Sequence, residues 1–345
     1  MNSISTPRPS PPPTSRATGA SSAPPGGPAR FGAWPIVKRP YALGLFLVFV
    51  LLAVNGALQT GFFRLDVGVS ILIACLPLMM IAVGQTYVVL GGSIDLSLGA
   101  IVSLVNVVVV VAAGAMGGSN TAVAAAAALG LLVGAACGAI NGALIAAFRL
   151  APIVLTFASG IVFGGLALIV MPQAGGSLAG DLAEIYANGI AHVPTPLLVT
   201  LVLLGLVVAL AATRFHLHLL AVGSQRQAAY QTGLPVGRIR VASHALGGLL
   251  AACAAVCVLA VSAAGDPLMG QAFTLGSISA VVLGGTALAG GWGGAFGSML
   301  GAMALTLINN IIFFAQIDYM VQGIVQGVIV LVALAAGVFV ARRPG

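Results

Sequence analysis

The chain has 345 residues, 60% of them hydrophobic and only 6% charged, with a mean hydropathy of +1.14. Soluble domains carry about 25% charged residues, so 13 Lys and Arg with 6 Asp and Glu cannot keep a globule of this size in water. A soluble enzyme, a collagen, a disordered chain and a disulfide-built secreted scaffold are excluded, which leaves an all-α, polytopic membrane protein.

Residues 1–40 form a Pro/Ser-rich tail that cannot bury enough apolar surface to fold, and it is expected to be cytosolic and disordered. Lys38 and Arg39 precede the first apolar run, which reads as an uncleaved signal anchor. From there charges act as rulers, because a helix needs about 20 apolar residues to cross about 30 Å. The intervals Arg39–Arg64, Asp66–Asp95, Arg149–Asp181, Glu184–Arg214, Arg240–Asp266 and Asp318–Arg342 each hold one span. The 53 residues between Asp95 and Arg149 hold two, turning at Gly117-Gly118-Ser119-Asn120. The 51 between Asp266 and Asp318 also hold two, broken by Gly290-Gly291-Trp292-Gly293-Gly294.

The sum is about ten spans, in a transmembrane domain covering residues 41–341. With Met1 in the cytosol, Arg149, Arg214, Arg226, Arg238, Arg240, Arg342 and Arg343 join the basic residues of the tail inside. Arg64 is then the one basic residue outside, with Asp66, Asp181, Glu184, Asp266 and Asp318. This is the positive-inside pattern. It puts both termini in the cytosol and assigns the net charge of +7 to topology, with no nucleic-acid partner. Asp95 is the single acidic residue on the inner side.

Two connections are long. The outer loop 172–194 is polar and has the composition of a short interfacial helix around Asp181 and Glu184. The inner loop 214–240 carries four arginines and GSQRQAAYQTGLPVGRIR, which is suited to presenting a short helix to a partner.

Several chemistries are ruled out. Lys38 is the only lysine, so there is no phosphate-cradling G-x-x-x-x-G-K-[ST]. His216 and His218 have no neighbouring carboxylate for a zinc site and read as interfacial, while His244 enters the membrane alone. Cys75, Cys137, Cys253 and Cys257 lie in apolar stretches and read as buried, reduced packing residues. No cofactor, metal or catalytic residue is expected. No ionisable residue falls in the middle of a predicted span, which argues against an ion-coupled carrier. The neutral groups Gln85, Asn106, Asn141, Asn309 and Asn310 suit either helix–helix adhesion or passage of a hydroxyl-rich solute.

The richest segment is VGQTYVVLGGSIDLSLGAIVSL, Val83 to Leu104. Gly91-Gly92 breaks the second span, and Asp95 is placed to cap a helix beginning near Leu96. The second reading of Asp95, behind the cap because the Gly-Gly break already requires one, is a pairing with a cytosolic arginine in one transport conformation. The string resembles the G-Q-T-x-V-x-x-x-G-G-I-D-L-S-V-G signature of ribose-type sugar permeases, the membrane subunits of ATP-binding-cassette importers. Gly138–Leu168, Ala221–Arg240 and Ile278–Asn310 resemble further segments of that family in the same order. The sequence departs in the extra Ser93 after Gly-Gly, in Gly-Ser-Gln where the family has Gly-Gly-Asn, and in Thr232 and Leu234. A shorter echo is internal: Val88-Val89-Leu90-Gly91-Gly92 recurs as Val281-Val282-Leu283-Gly284-Gly285.

The resemblance implies the fold and partners of such a permease. It pairs with a second permease subunit, identical or a paralogue, in membrane lipid of the bacterial inner membrane. A periplasmic sugar-binding protein docks outside and a cytosolic ATPase subunit inside. It implies Ala228, Ala229, Tyr230, Gly233 and Arg238 as the ATPase-coupling surface, and Gln85, Gly91, Gly92, Asp95, Ser97, Asn141 and Asn309 as signature and translocation-path residues. The substrate is then a monosaccharide, a ribose-like pentose or a related sugar. The rival reading is an ATP-independent channel or facilitator for small polar solutes, which needs no cytosolic partner.

Overall fold

The computed structural model describes residues 41–178, 181–189 and 193–318, with residues 321, 323, 324, 327, 328 and 331 beyond them. The expected tail and most of the expected last span lie outside the described residues. Twelve helices are described: α1 (Ala42–Leu58), α2 (Leu65–Leu90), α3 (Leu98–Ala115), α4 (Asn120–Phe148), α5 (Pro152–Val170), α6 (Leu182–Asn188), α7 (Thr195–Ala211), α8 (Arg214–Ser224), α9 (Arg226–Gln231), α10 (Val236–Ser262), α11 (Gln271–Leu283) and α12 (Ala295–Phe314).

Among them α2, α3, α4, α5, α10 and α12 are long and apolar enough to cross a membrane, which makes six. The count is seven if α7 and α8, bent by 69° at their junction, form one span. The ten expected spans are thus not all matched by membrane-length helices. At 17 residues α1 is marginal, and at 13 residues α11 rises only about 20 Å. The physical reason at α11 is its glycine stop. Gly285 has φ 83°, its N–H donates to Val282 O (2.9 Å) and Thr286 N–H donates to Val281 O (3.1 Å). That pair of bonds around a left-handed residue is a Schellman terminus.

The same terminus closes α2. Gly92 (φ 75°) donates to Val89 O at 2.8 Å, and Ser93 N–H donates to Val88 O at 3.2 Å. The internal echo in the sequence is therefore the same helix ending used twice, each time just before the chain turns into another helix. The loop that follows α11 packs on the ending of α2: Gly291 N–H donates to Leu90 O at 3.1 Å, and a Cβ on Gly290 would lie 2.8 Å from Gly92 Cα.

At the centre of the bundle α4 and α10 cross in close contact. Gly134, Gly138 and Gly142, one turn apart on α4, face Gly248, His244 and Val241 in reverse order on α10. A Cβ on Gly138 would collide with His244 O, so the backbones approach as in the small-x-x-x-small packing of membrane helices. Antiparallel packing of α10 on α2 follows from Gly84 against Gly247 and Cys257 against Met80. Arg149, Arg238 and Arg240 therefore share one end with the C-terminus of α2. We call it the basic end.

The opposite end carries the acidic residues and is tied by loops. Asn120 pairs with Asp181 (Nδ2 to Oδ2, 2.7 Å), Asp266 N–H donates to Asn106 Oδ1 (2.7 Å), and Gly175 and Gly265 exchange backbone bonds at 2.9 Å. α6 lies in this outer connection, where the polar stretch around Asp181 and Glu184 had the composition of a short helix. All four cysteines are free, but Cys253 is only half-buried, because its face of α10 is not fully covered among the described residues.

Candidate permease site

Seven residues, 91–97, connect α2 to α3 at the basic end, and polar side chains from three helices pin them. From α2, the Gln85 amide donates to Asp95 O (3.1 Å) and accepts from Asp95 N–H (3.2 Å), in the orientation its partners assign. From α4, Asn141 Nδ2 donates to Ser97 Oγ at 2.8 Å. From α5, Thr156 Oγ1 accepts from Leu96 N–H at 3.0 Å and faces Pro152 O and Ile94 O, which compete for its one proton. Gln85, Asp95, Ser97, Asn141 and Thr156 are all fully buried.

Asp95 differs from the expected cap. The helix begins at Leu98, not near Leu96, and Ser97 occupies the N-cap position without a side-chain cap bond. The Asp95 carboxylate acts one step earlier: Oδ1 accepts from Ser97 N–H (2.8 Å) and from Ser97 Oγ (2.6 Å). The extra residue in this break, Ser93, is the last member of the Schellman terminus, and the helix start is displaced accordingly.

The His244 side chain, read from sequence as solitary, belongs to this neighbourhood. It is fully buried, its Nδ1 lies 2.9 Å from Arg240 O, and Asp95 interacts with it electrostatically. Arg240, buried on the same face of α10, is not free in a cytosolic loop, because α10 begins at Val236. Among the described residues Asp95 has no ion pair. Asp95 Oδ2, Asn141 Oδ1, His244 Nε2, Arg240 Nε and Ser93 Oγ are buried there without hydrogen-bond partners. Sequence reasoning missed Thr156 and His244; the available signal was a polar residue near the start of each largely apolar helix.

Asn309 stands apart from this cluster. With Asn310 it lines a cavity beside the N-terminal half of α2, about 20 to 38 Å along that helix from the break at 1.5 Å per residue. Asn106, by contrast, holds Asp266 through its Oδ1.

The second group of expected residues lies on α9 and its flanks. α8 is N-capped by Thr213, whose Oγ1 accepts from His216 N–H at 3.3 Å, and Phe215 stacks on Tyr87 of α2 with centroids 6.3 Å apart. This docks the connection on the basic end. On α9 Ala228 is exposed and Tyr230 is 73% exposed, but Ala229 is buried and points back into the chain. Gly233 has φ 83° with open space around its Cβ position, so its backbone and not its size requires glycine. Arg238 edges a groove of about 600 Å³ between the ends of α4 and α10, walled by Ala143, Ala146, Gly237 and Ala242.

A protein-family profile described as the permease component of the branched-chain amino acid transport system matches residues 67–334. The chain is 32% identical over 296 residues to the ribose import permease protein of Escherichia coli K12, covering 84% of this chain and 91% of that protein. It is 28% identical over 312 residues to the D-allose transport system permease protein of the same organism, covering 86% and 94%. Over 320 residues it is 30% identical to the L-arabinose ABC transporter permease protein of Azospirillum brasilense, covering 89% of each. No solved structure matches. A multi-pass helical chain that matches the profile and these relatives over most of its length belongs to this family, as a transport permease of the ATP-binding-cassette importer class and not an enzyme.

Proposed function

We propose that the chain moves a monosaccharide, a ribose-like pentose or a related sugar, across the bacterial inner membrane, driven by a separate ATPase. The carrying observation is that relatives aligned over 84% to 89% of the chain are named for ribose, allose and arabinose. The absence of mid-span charges in the sequence argues against ion coupling and supports a separate energy source.

The ten-crossing arrangement with both termini in the cytosol is part of this reading, and the separation of basic from acidic residues supports it. A periplasmic sugar-binding protein docks at the acidic end, and a second permease subunit completes the path within the lipid. The ATPase docks at the basic end, on the exposed face formed by Ala228, Tyr230 and Arg238. ATP-driven closure of two ATPases then moves α8 and α9 as rigid bodies against the break at Gly91-Gly92, which opens the path alternately. Asp95, Ser97, Asn141 and Gln85 keep that break in one shape so that the movement is transmitted.

Co-purification with the ATPase encoded beside it tests the reading. Stable association that is lost on Tyr230→Ala supports it. Sugar passage with no ATPase bound favours a facilitator instead.

A further inference from the structure

The cavity beside α2 combines partner-free polar groups with a volume suited to a small solute. It encloses about 510 Å³ between the N-terminal half of α2, the C-terminal half of α12 and Phe273 of α11. Small-molecule sites occupy about 300–1,000 Å³ and combine apolar walls with a few aimed polar groups. Here the apolar walls include Phe273 and Phe313, and the polar groups are Gln59, Asp66, Ser70, Thr306, Asn309 and Asn310.

Two of those groups lack partners. Gln59 Oε1 and Asn310 Oδ1 are buried atoms with no hydrogen bond among the described residues. Leaving such atoms unpaired costs free energy that a donor entering the cavity would recover. The lining contains a single ionisable residue, Asp66, and its Oδ1 already takes Arg64 Nε at 3.1 Å. A cation or zwitterion finds no unmatched pair of charges here. A ring bearing hydroxyl groups does find its complement: O–H donors for the two amide oxygens, acceptors for the amide nitrogens, and aromatic walls for its C–H face.

We propose that this cavity is a transit site for a neutral polyhydroxylated ring, a monosaccharide, on the acidic-end half of the permeation path, with Gln59 and Asn310 as its hydrogen-bonding residues. The inference rests on the sugar-import reading above and assigns it a place in the chain. The site is distinct from the Asp95 cluster, which lies around the α2–α3 break at the other end of α2.

The test uses the complete transporter, the chain with its ATPase and binding protein, in proteoliposomes. D-ribose, D-allose and L-arabinose serve as probes, and uptake and ATP hydrolysis are measured on the same vesicles. Gln59→Leu and Asn310→Leu keep side-chain volume and remove the hydrogen bonds. Each is expected to lower sugar moved per ATP hydrolysed at least tenfold while hydrolysis stimulated by the loaded binding protein stays within twofold of wild type. Unchanged uptake in both variants overturns the proposal, and so does a proportional fall of uptake and hydrolysis. If the wild-type complex takes up none of the three sugars, the underlying import reading fails, and the inference with it.

Discussion

Asn141 Nδ2 donates to Ser97 Oγ at 2.8 Å, and this one bond joins the middle of the α4–α10 contact to the turn between α2 and α3. Ser97 Oγ in turn donates to Asp95 Oδ1 at 2.6 Å, so a residue of α4 and two residues of the turn form one chain of hydrogen bonds. Replacing Asn141 by Leu strands Ser97 without a donor. A loss of about 1–3 kcal/mol is expected for such a group, readable as a lowered melting temperature in detergent.

At Asp95, the two bonds that matter both end on one oxygen. Asp95→Asn keeps an acceptor in that place and removes a buried charge, so folding and uptake within about twofold of wild type are expected. Asp95→Ala loses both bonds and is expected to cost about 1–3 kcal/mol. Uptake normalised to inserted protein separates the cases. A folded Asn variant that transports nothing would mean that the charge itself, beside His244, takes part in the cycle.

On α9 the exposed and buried alanines should behave oppositely. Ala228→Glu and Tyr230→Ala alter only the outward face and are expected to abolish ATP-driven uptake with the melting temperature unchanged. Ala229→Glu pushes a carboxylate into the chain's own packing, at several kcal/mol for an unpaired charge, and is expected to lower thermal stability first. Thermal denaturation alongside uptake distinguishes them.

Three glycines rank by mechanism. Gly233→Ala meets open space and is expected to cost only the left-handed backbone strain, about 1–2 kcal/mol. Gly92→Ala adds neighbours 3.5 Å away, in ordinary contact, so its cost should be close to that of Gly233→Ala. Gly138→Ala has no unfavourable φ, yet its Cβ collides with His244 O and forces α4 and α10 apart. It should therefore be the most damaging of the three in a thermal-shift series.

Much of this fold was legible because charges are scarce. Nineteen charged residues in 345 mark where helices leave the apolar phase, and α3, α4, α5 and α12 fall inside intervals drawn that way. The ruler failed where a helix ends on glycine: α11 stops at Gly284-Gly285, far from the nearest charge. It also failed at α10, which starts right after Pro235 and carries Arg238 and Arg240 inside its first turns, because a proline sets the start more strongly than a charge does. The signature residues were found by resemblance. Their company was not, since the backbone of His244 packs on Gly138 of α4 only because α10 approaches α4 so closely, a long-range fact with no local trace. Ala229 was misplaced for a similar reason: a six-residue helix does not reveal which side its neighbours cover.

Side-specific labelling checks the membrane arrangement. Ser177 and Gln225 are both exposed, and single cysteines placed there are expected to react with an impermeant maleimide from opposite faces of oriented vesicles. Reaction of both from one face would remove the ten-crossing arrangement and the placement of the ATPase surface with it.

The most direct measurement is solute uptake by proteoliposomes containing the chain, its ATPase and its binding protein, with D-ribose, D-allose, L-arabinose and L-leucine compared with and without ATP inside. Accumulation of at least one of the sugars, dependent on ATP and absent for leucine, is the expected result. ATP-driven leucine accumulation without any sugar uptake, or sugar equilibration indifferent to ATP, would contradict a monosaccharide importer.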